Sequence, residues 1–243
     1  MFQLLRLKLV KALIDVNEKI FFERRLAKAY KSYFGNKVKN VIDVGANKGQ
    51  TIDFFTNINP DCKVWAFEPN HTLYTNLINK YSKMPAIKIY NLGISAQAGQ
   101  KLFQENVLDY TSTFEELNPD SKYLQKKSSI LGVRPEDIIK DKYVVNTITL
   151  AEFINEQVHE PIDVLKIDIE GHEFAALTGL FAMPFNQPIK YIQIEDHTHD
   201  MYKNKTPFKA IEELLNSNGF KVKEIIKHGF GNINEVIFYN TLL

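Results

Sequence analysis

At 243 residues the chain is long enough for one α/β domain with a short appendage, and its 44% hydrophobic and 24% charged residues are those of an ordinary soluble globular protein. A single cysteine, Cys62, excludes a disulfide framework and any zinc cluster built on thiolates, and is compatible with a reducing compartment. The net charge of +1 hides an asymmetry: residues 1–40 hold ten Lys/Arg against three Asp/Glu, which leaves the other 203 residues at −6 and excludes a general nucleic-acid footprint over the body.

The opening stretch, MFQLLRLKLVKALI, places Arg6, Lys8 and Lys11 among its apolar residues and so lacks the continuous core and small-residue end of a secretory signal. It is also too short and too charged to span a bilayer, and the expectation is a cytoplasmic protein. Residues 2–33 alternate apolar and basic positions at helical spacing, which predicts one or two amphipathic helices. Two readings stand for this arm, drawn as residues 1–37. It is either a surface for anionic lipid, giving peripheral membrane contact through residues 1–35, or a helical lid with its apolar face on the domain.

The remainder, 38–243, reads as one domain. Strands are predicted at 41–44, 63–67, 87–91, 164–168 and 191–195, each short and apolar enough to be buried on both faces. Helices are predicted at 50–57, 72–81, 150–155, 173–179 and 208–217. Two late strands, 221–226 and 234–239, are joined by the glycine-bearing KHGFGN and suggest an antiparallel hairpin at one edge. The alternation predicts a doubly wound, mostly parallel, Rossmann-like sheet. It breaks down at about 99–145. There KLFQENVLDYTSTF suggests a short hairpin, and the following polar stretch reads as an insertion with loose helical content. Tyr110, Ser112, Thr113 and Phe114 of this insertion either close over a ligand or fill the edge of the core.

An open parallel sheet binds its ligand beyond the carboxyl ends of its strands. The first strand ends in VIDVGANKGQ, with Asp43, Gly45 and Gly49. A pyrophosphate requires the second glycine of G-x-G-x-x-G, and here Asn47 stands in its place, which disfavours a nicotinamide dinucleotide. S-adenosyl-L-methionine has no phosphate. Asp43 can balance its cationic groups, the glycines let the chain pass beneath it, and the amides at the helix start suit its carboxylate. In VWAFEPN, Glu68 ends the second strand before Pro69 and can accept both ribose hydroxyls. The alternative is a helix-capping acid, although Asn70 could cap that helix itself.

The segments VIDVGANKGQTIDFF, AFEPN, LGIS, VNTITLAEFI, IDVLKIDIEGHEFAALTGL and IKYIQIEDH together resemble the FkbM family of S-adenosylmethionine-dependent methyltransferases, over about residues 38–200. The resemblance implies a class I methyltransferase sheet of seven strands with the last antiparallel, and O-methylation of sugar or polyketide-like hydroxyls. It also implies that Asp43, Gly45, Asn47 and Gly49 line the methionine side, that Glu68 and Pro69 stand at the ribose, and that Asn91 and Gly93 lie by the adenine. The acceptor is then a small molecule or a glycan.

Two polar clusters end the later strands: KIDIEGHE, with Asp168, Glu170, His172 and Glu173, and IEDHTHD, with Glu195, Asp196, His197, His199 and Asp200. Asp168 points into the cofactor crevice or caps the next helix. His172 and His197 are the candidate bases, since an imidazole titrates near neutral pH. Glu170 and Glu195 orient a histidine or bind substrate hydroxyls. His199 reads as a surface residue, and Glu173 as serving a helix amino terminus. The donor types also match magnesium or manganese, but no spacing demands a metal and none is expected. Two rival readings remain: a nicotinamide-dependent oxidoreductase, and a cofactor- or membrane-binding module without turnover.

Overall fold

A computed structural model describes residues 23–107, 111–197, 199–228 and 233–243. The expectations for residues 1–22, for Tyr110 and for most of the KHGFGN turn lie outside the described residues. The elements follow in chain order: α1 (Glu23–Phe34), β1 (Asn40–Val44), α2 (Gln50–Ile58), β2 (Lys63–Phe67), α3 (His71–Lys80), β3 (Ile87–Tyr90), β4 (Gly93–Ile94) and β5 (Gly99–Asn106). After these come α4 (Lys122–Leu131), β6 (Ile139–Ile148), α5 (Leu150–Gln157), β7 (Ile162–Ile167), α6 (Glu173–Phe181), β8 (Ile189–His197), α7 (Phe208–Ser217), β9 (Phe220–Lys227) and β10 (Ile233–Asn240).

Seven strands form the main sheet in the order β3-β2-β1-β7-β8-β10-β9. All neighbours are parallel except β10, which runs antiparallel to both β8 and β9. The expected hairpin is therefore present at an edge, with β9 outermost and the last strand one place inside. Burial explains that order: Glu235–Phe238 of β10 are buried, whereas β9 buries only its two ends, Phe220 and Ile226. The chain leaves β1 toward β2 and β3, then crosses back to β7 on the other side. The strand order thus reverses between β1 and β7, and the crevice above their carboxyl ends is the natural binding place.

Alternation along β1 divides the core. Ile42 and Val44 face one apolar layer with Phe67, Leu165 and α5–α7, while Val41 faces the other with Phe55, Leu77 and α1. Asp43 shares the face of Val41. Helix α1 buries Leu26, Ala29 and Tyr30 in that second layer, and the Tyr30 hydroxyl donates to Gln193 Oε1 of β8 at 2.6 Å. This part of the expected arm packs on the sheet. Among the described residues no helix is long and apolar enough to cross a membrane.

The insertion corrects the sequence reading. Residues 139–142, expected within a loosely helical stretch, belong to strand β6, which pairs antiparallel with β5 and parallel with β4 in a separate three-stranded sheet. Most of the first half of β6 faces solvent, so IKDKY carries little of the apolar alternation that marks a strand. The expected hairpin within KLFQENVLDYTSTF is reduced to one bridge, Gln104 with Thr113. Between β5 and β6 lies a well-capped helix, α4, with Ser121 accepting from Leu124 N and Gly132 left-handed at its end.

Candidate active site

The turn after β1 is shaped by its neighbours. Gly45 has φ 94°, and a Cβ there would stand 1.9 Å from the Asp168 carbonyl oxygen, so the crossing of β1 and β7 admits no side chain. Gly49 has φ 84°, and its Cβ would meet the Tyr81 hydroxyl at 2.2 Å. That hydroxyl lies 2.9 Å from Gly49 O and 2.7 Å from Asp53 Oδ1, which ties the turn to the end of α3. Asn47 is also left-handed, at φ 49°, a conformation asparagine tolerates better than most residues.

Glu68 lies buried against the same turn. Its Oε2 accepts from Asn47 N at 2.7 Å and its Oε1 from Asn70 N at 2.8 Å. Asn70 caps α3, accepting from Thr72 N and Leu73 N at 2.9 and 3.0 Å. Asn91 donates to Glu68 O at 2.8 Å and Pro69 O at 3.1 Å, fixing the backbone between them. Gly93 lies against the Phe114 ring.

Asp43 is fully buried, and apart from a weak pull from the Thr51 side chain its carboxylate oxygens make no close hydrogen bond among the described residues. Burial pushes its pKa up to about 6 against the opposing pull of Lys166, its neighbour across the β1–β7 pairing. An unsatisfied buried carboxylate is costly, and a cationic ligand group would relieve it.

Alternation on β7, β8 and β10 brings a row of polar side chains to one face: Lys166 and Asp168, then Gln193, Glu195 and His197, then Glu235. Lys166 Nζ donates to Asp168 Oδ2 at 2.8 Å. Burial alone would drive the Lys166 ammonium down, but Asp168, Glu235 and Asp43 hold it well above its ordinary value. Burial likewise opposes the charge on Asp168, yet Lys166 and a hydrogen bond from Glu195 hold its carboxyl below the usual range. Glu195, buried and beside the Asp168 charge, is pushed up to about 8.

His197 Nε2 stands 3.0 Å from Glu195 Oε2 and 3.8 Å from Glu170 Oε2. Burial would strip its proton, but Glu195 and Glu170 together keep its pKa well above the ordinary imidazole value. Glu170 is raised by burial and accepts from the Tyr202 hydroxyl at 2.5 Å.

The two predicted histidines are not together. His172 Nδ1 meets Glu115 Oε1 at 2.6 Å and its Nε2 meets Ser95 Oγ at 3.0 Å, so both ring nitrogens are engaged away from His197. Thr113 donates to Glu170 O at 2.8 Å, and the Phe114 ring lies 5.1 Å from His172. The insertion segment 113–115 is thereby fastened over the β7–α6 loop, while Ser112 accepts from Asn106 N at 3.1 Å on the insertion's own side.

His199 departs from its expected surface position. It is buried, stacks on Tyr123 of α4 at 4.1 Å, and has its pKa pushed down to about 3 by burial and then by the His197 charge. Glu173 accepts from Ile169 N and Gly171 N, both at 3.1 Å, just before α6. Asp200 accepts from the Ser121 hydroxyl, and Asp196 pairs with Asn234, both apart from the cluster. Sequence reasoning missed Lys166, Glu115 and Tyr202. Only Lys166 carried a signal, as a charge inside a strand otherwise apolar enough to be buried on both faces. A cavity of about 230 Å³ lined by Lys63, Trp65 and Glu160 lies at the opposite, amino-terminal ends of the strands.

The family profile described as Methyltransferase FkbM domain matches residues 43–222, well over half of the chain. The chain belongs to the FkbM methyltransferase family. FkbM methyltransferases use S-adenosyl-L-methionine, and membership sets aside the nicotinamide reading. Among curated relatives, the AMB antimetabolite synthetase AmbE of Pseudomonas aeruginosa is 25% identical over 75% of this chain. The chain spans only 9% of AmbE's length. The 2-O-methyltransferase NoeI of Sinorhizobium fredii is 22% identical, over 73% of this chain and 71% of its own. Among solved structures, an S-adenosylmethionine-dependent methyltransferase from Aquifex aeolicus aligns at 13% identity and TM-score 0.43, over 96% of this chain and 97% of that one. The residues here fit such a cofactor: Asp43 offers a buried, unsatisfied carboxylate to a cation, and Glu68 is a carboxylate held at the crevice by backbone amides.

Proposed function

We propose that this FkbM methyltransferase methylates a hydroxyl oxygen of a saccharide, glycolipid or related metabolite. The observation that carries this reading is the meeting of the two groups at the sheet reversal. The Asp43–Glu68 side is fit for the donor, and the Glu170–Glu195–His197 side is fit to receive a proton. The name of NoeI, a 2-O-methyltransferase, supports oxygen as the attacked atom.

The cofactor, when bound, supplies an electrophilic methyl group. Around it, Asp43 faces the cationic end, Gly45, Asn47 and Gly49 form the floor, and Glu68 turns its carboxylate to the ribose. Pro69 would stand with Glu68 at the ribose, and Asn91 and Gly93 would border the adenine. Asp168, held by Lys166, borders the methionine end. With the cofactor bound, the acceptor oxygen would take the methyl as the sulfur–carbon bond breaks to leave a neutral thioether, and the hydroxyl proton would pass to a carboxylate of the Glu170–Glu195 pair, which His197, already protonated, holds in place. A positioned base of this kind contributes roughly 10²–10⁴-fold, and alignment of the two reactants contributes up to about 7–11 kcal/mol in ideal cases. His172 serves as a positioning residue, locking segment 113–115 over the site.

S-adenosylhomocysteine should raise the melting temperature, and Glu68→Ala should remove that rise and weaken binding about 100-fold, the loss of charge-assisted bonds to two hydroxyls. Isotopically labelled methyl donor and a panel of saccharides, read by mass spectrometry, test the acceptor class. Label found only on nitrogen or carbon would overturn the oxygen assignment.

A further inference from the structure

We propose that Asp168, Glu170, Glu195 and His197 bind one divalent cation of the Mn²⁺ or Mg²⁺ type. No spacing along the chain demands a metal, but the folded arrangement brings the donors together. One ligand atom from each of the four residues lies within 4.8 Å of the others. Donors around a single ion at about 2.1–2.2 Å stand roughly 3–4.4 Å apart, so small rotations close the set. The four come from two segments, the loop between β7 and α6 (Asp168 and Glu170) and the end of β8 (Glu195 and His197), which converge on one point.

A second observation points to the same ligand. His197 is 2% exposed, its Nδ1 has no hydrogen-bond partner among the described residues, and its Nε2 faces the Glu195 and Glu170 carboxylates at 3.0 and 3.8 Å. A buried imidazole nitrogen aimed at two carboxylates stands where one shared cation would sit between them. The surroundings are those of a metal site's outer ring. Tyr202 donates to Glu170, and Lys166 holds one oxygen of Asp168 and leaves the other. Three carboxylates with one imidazole favour Mn²⁺, with Mg²⁺ the alternative among hard ions.

This deepens the proposed function and rests on it for its consequence. A cation here would grip the acceptor oxygen and acidify its hydroxyl, so that the proton leaves to water and Glu170, Glu195 and His197 act as ligands in place of accepting it. It also has room for a neighbouring oxygen, so the preferred acceptors carry two adjacent hydroxyls, as sugars do.

The test uses the full chain, stripped with a chelator and titrated with Mn²⁺ while the free-ion electron paramagnetic resonance signal is followed. One Mn²⁺ per chain should be taken up. Glu170→Gln and Glu195→Gln should each weaken uptake tenfold or more while the melting-temperature rise with S-adenosylhomocysteine is retained. A stripped wild-type chain that leaves the free Mn²⁺ signal unchanged to millimolar concentration overturns the proposal whether or not the variants fold. So does uptake that both folded variants share unchanged. Absence of any response to S-adenosylhomocysteine would count against the cofactor site instead, so the two failures read separately.

Discussion

The two ends of the crevice satisfy their polar groups in different ways. Beside β1 and β2, Glu68 is held by backbone amides of Asn47 and Asn70, and those amides are held in turn by a turn and a helix cap. Beside β7 and β8, side chains are held mainly by other side chains: Lys166 by Asp168, His197 by Glu195, Glu170 by Tyr202. A backbone-built pocket accepts one ligand in one pose and varies little when a side chain changes. A side-chain-built cluster is adjustable, and any member removed leaves a charge buried without its partner. The difference matches the proposed division, with the constant half of the reaction, the donor, at the first end and the variable half, the acceptor, at the second.

The sharpest way to break that comparison is at His197. His197→Gln should lower kcat by about 10²–10⁴-fold and leave the melting-temperature response to S-adenosylhomocysteine nearly intact. Equal loss of both would mean that the two ends are not separate.

Asp43 gives the next largest effect, with an instructive sign. Burial lifts its pKa to about 6, above the 3.8 of an ordinary aspartate. Between those values the folded chain holds a proton that the unfolded chain has released, so stability falls as pH rises through this window. The cost is absent below it and complete above it. A shift of about two units corresponds to roughly 3 kcal/mol. Asp43→Asn should therefore be more stable than the parent at pH 7.5, by about 1–3 kcal/mol, with the gap closing as pH approaches 4, and should bind S-adenosylhomocysteine poorly. Urea melts at both pH values check this. A destabilised variant at pH 7.5 would mean that the carboxylate is well satisfied.

The smallest effect is expected at His172. His172→Asn should cost about 1–2 kcal/mol of stability for its two buried contacts and raise KM more than it lowers kcat, since segment 113–115 loosens while the proton-accepting group stays. A kcat loss as large as that of His197→Gln would make His172 the base.

Much of the fold was legible because the central strands are buried on both faces. NVIDV, KVWAF and IDVLKI have few polar residues to confuse the pattern, and their predicted ends fall within two residues of the observed ones. Strand β6 was not legible, since its exposed half reads as a polar loop. The position of the proposed donor residues was legible for the same local reason: Asp43 and Glu68 sit at or next to strand ends, where an open sheet places its crevice. The division of labour between His172 and His197 was not. It depends on Glu115, 57 residues from His172, and on Tyr202, 32 residues from Glu170. His199 was misplaced because its stacking partner, Tyr123, lies on a helix the sequence showed only faintly.

The Tyr30 hydroxyl reaches through the second apolar layer to Gln193, whose amide in turn donates to Glu235 at 2.8 Å. Gln193 precedes Glu195 by two positions on the same strand face. A shortened chain beginning after Phe34 would uncover Phe55 and Tyr191 and deprive that strand of an anchor directly beneath its acidic tip. Trimming the basic leader to ask what it does for vesicle binding should stop at residue 22. A cut beyond α1 would mimic a loss of catalytic function that has nothing to do with lipid.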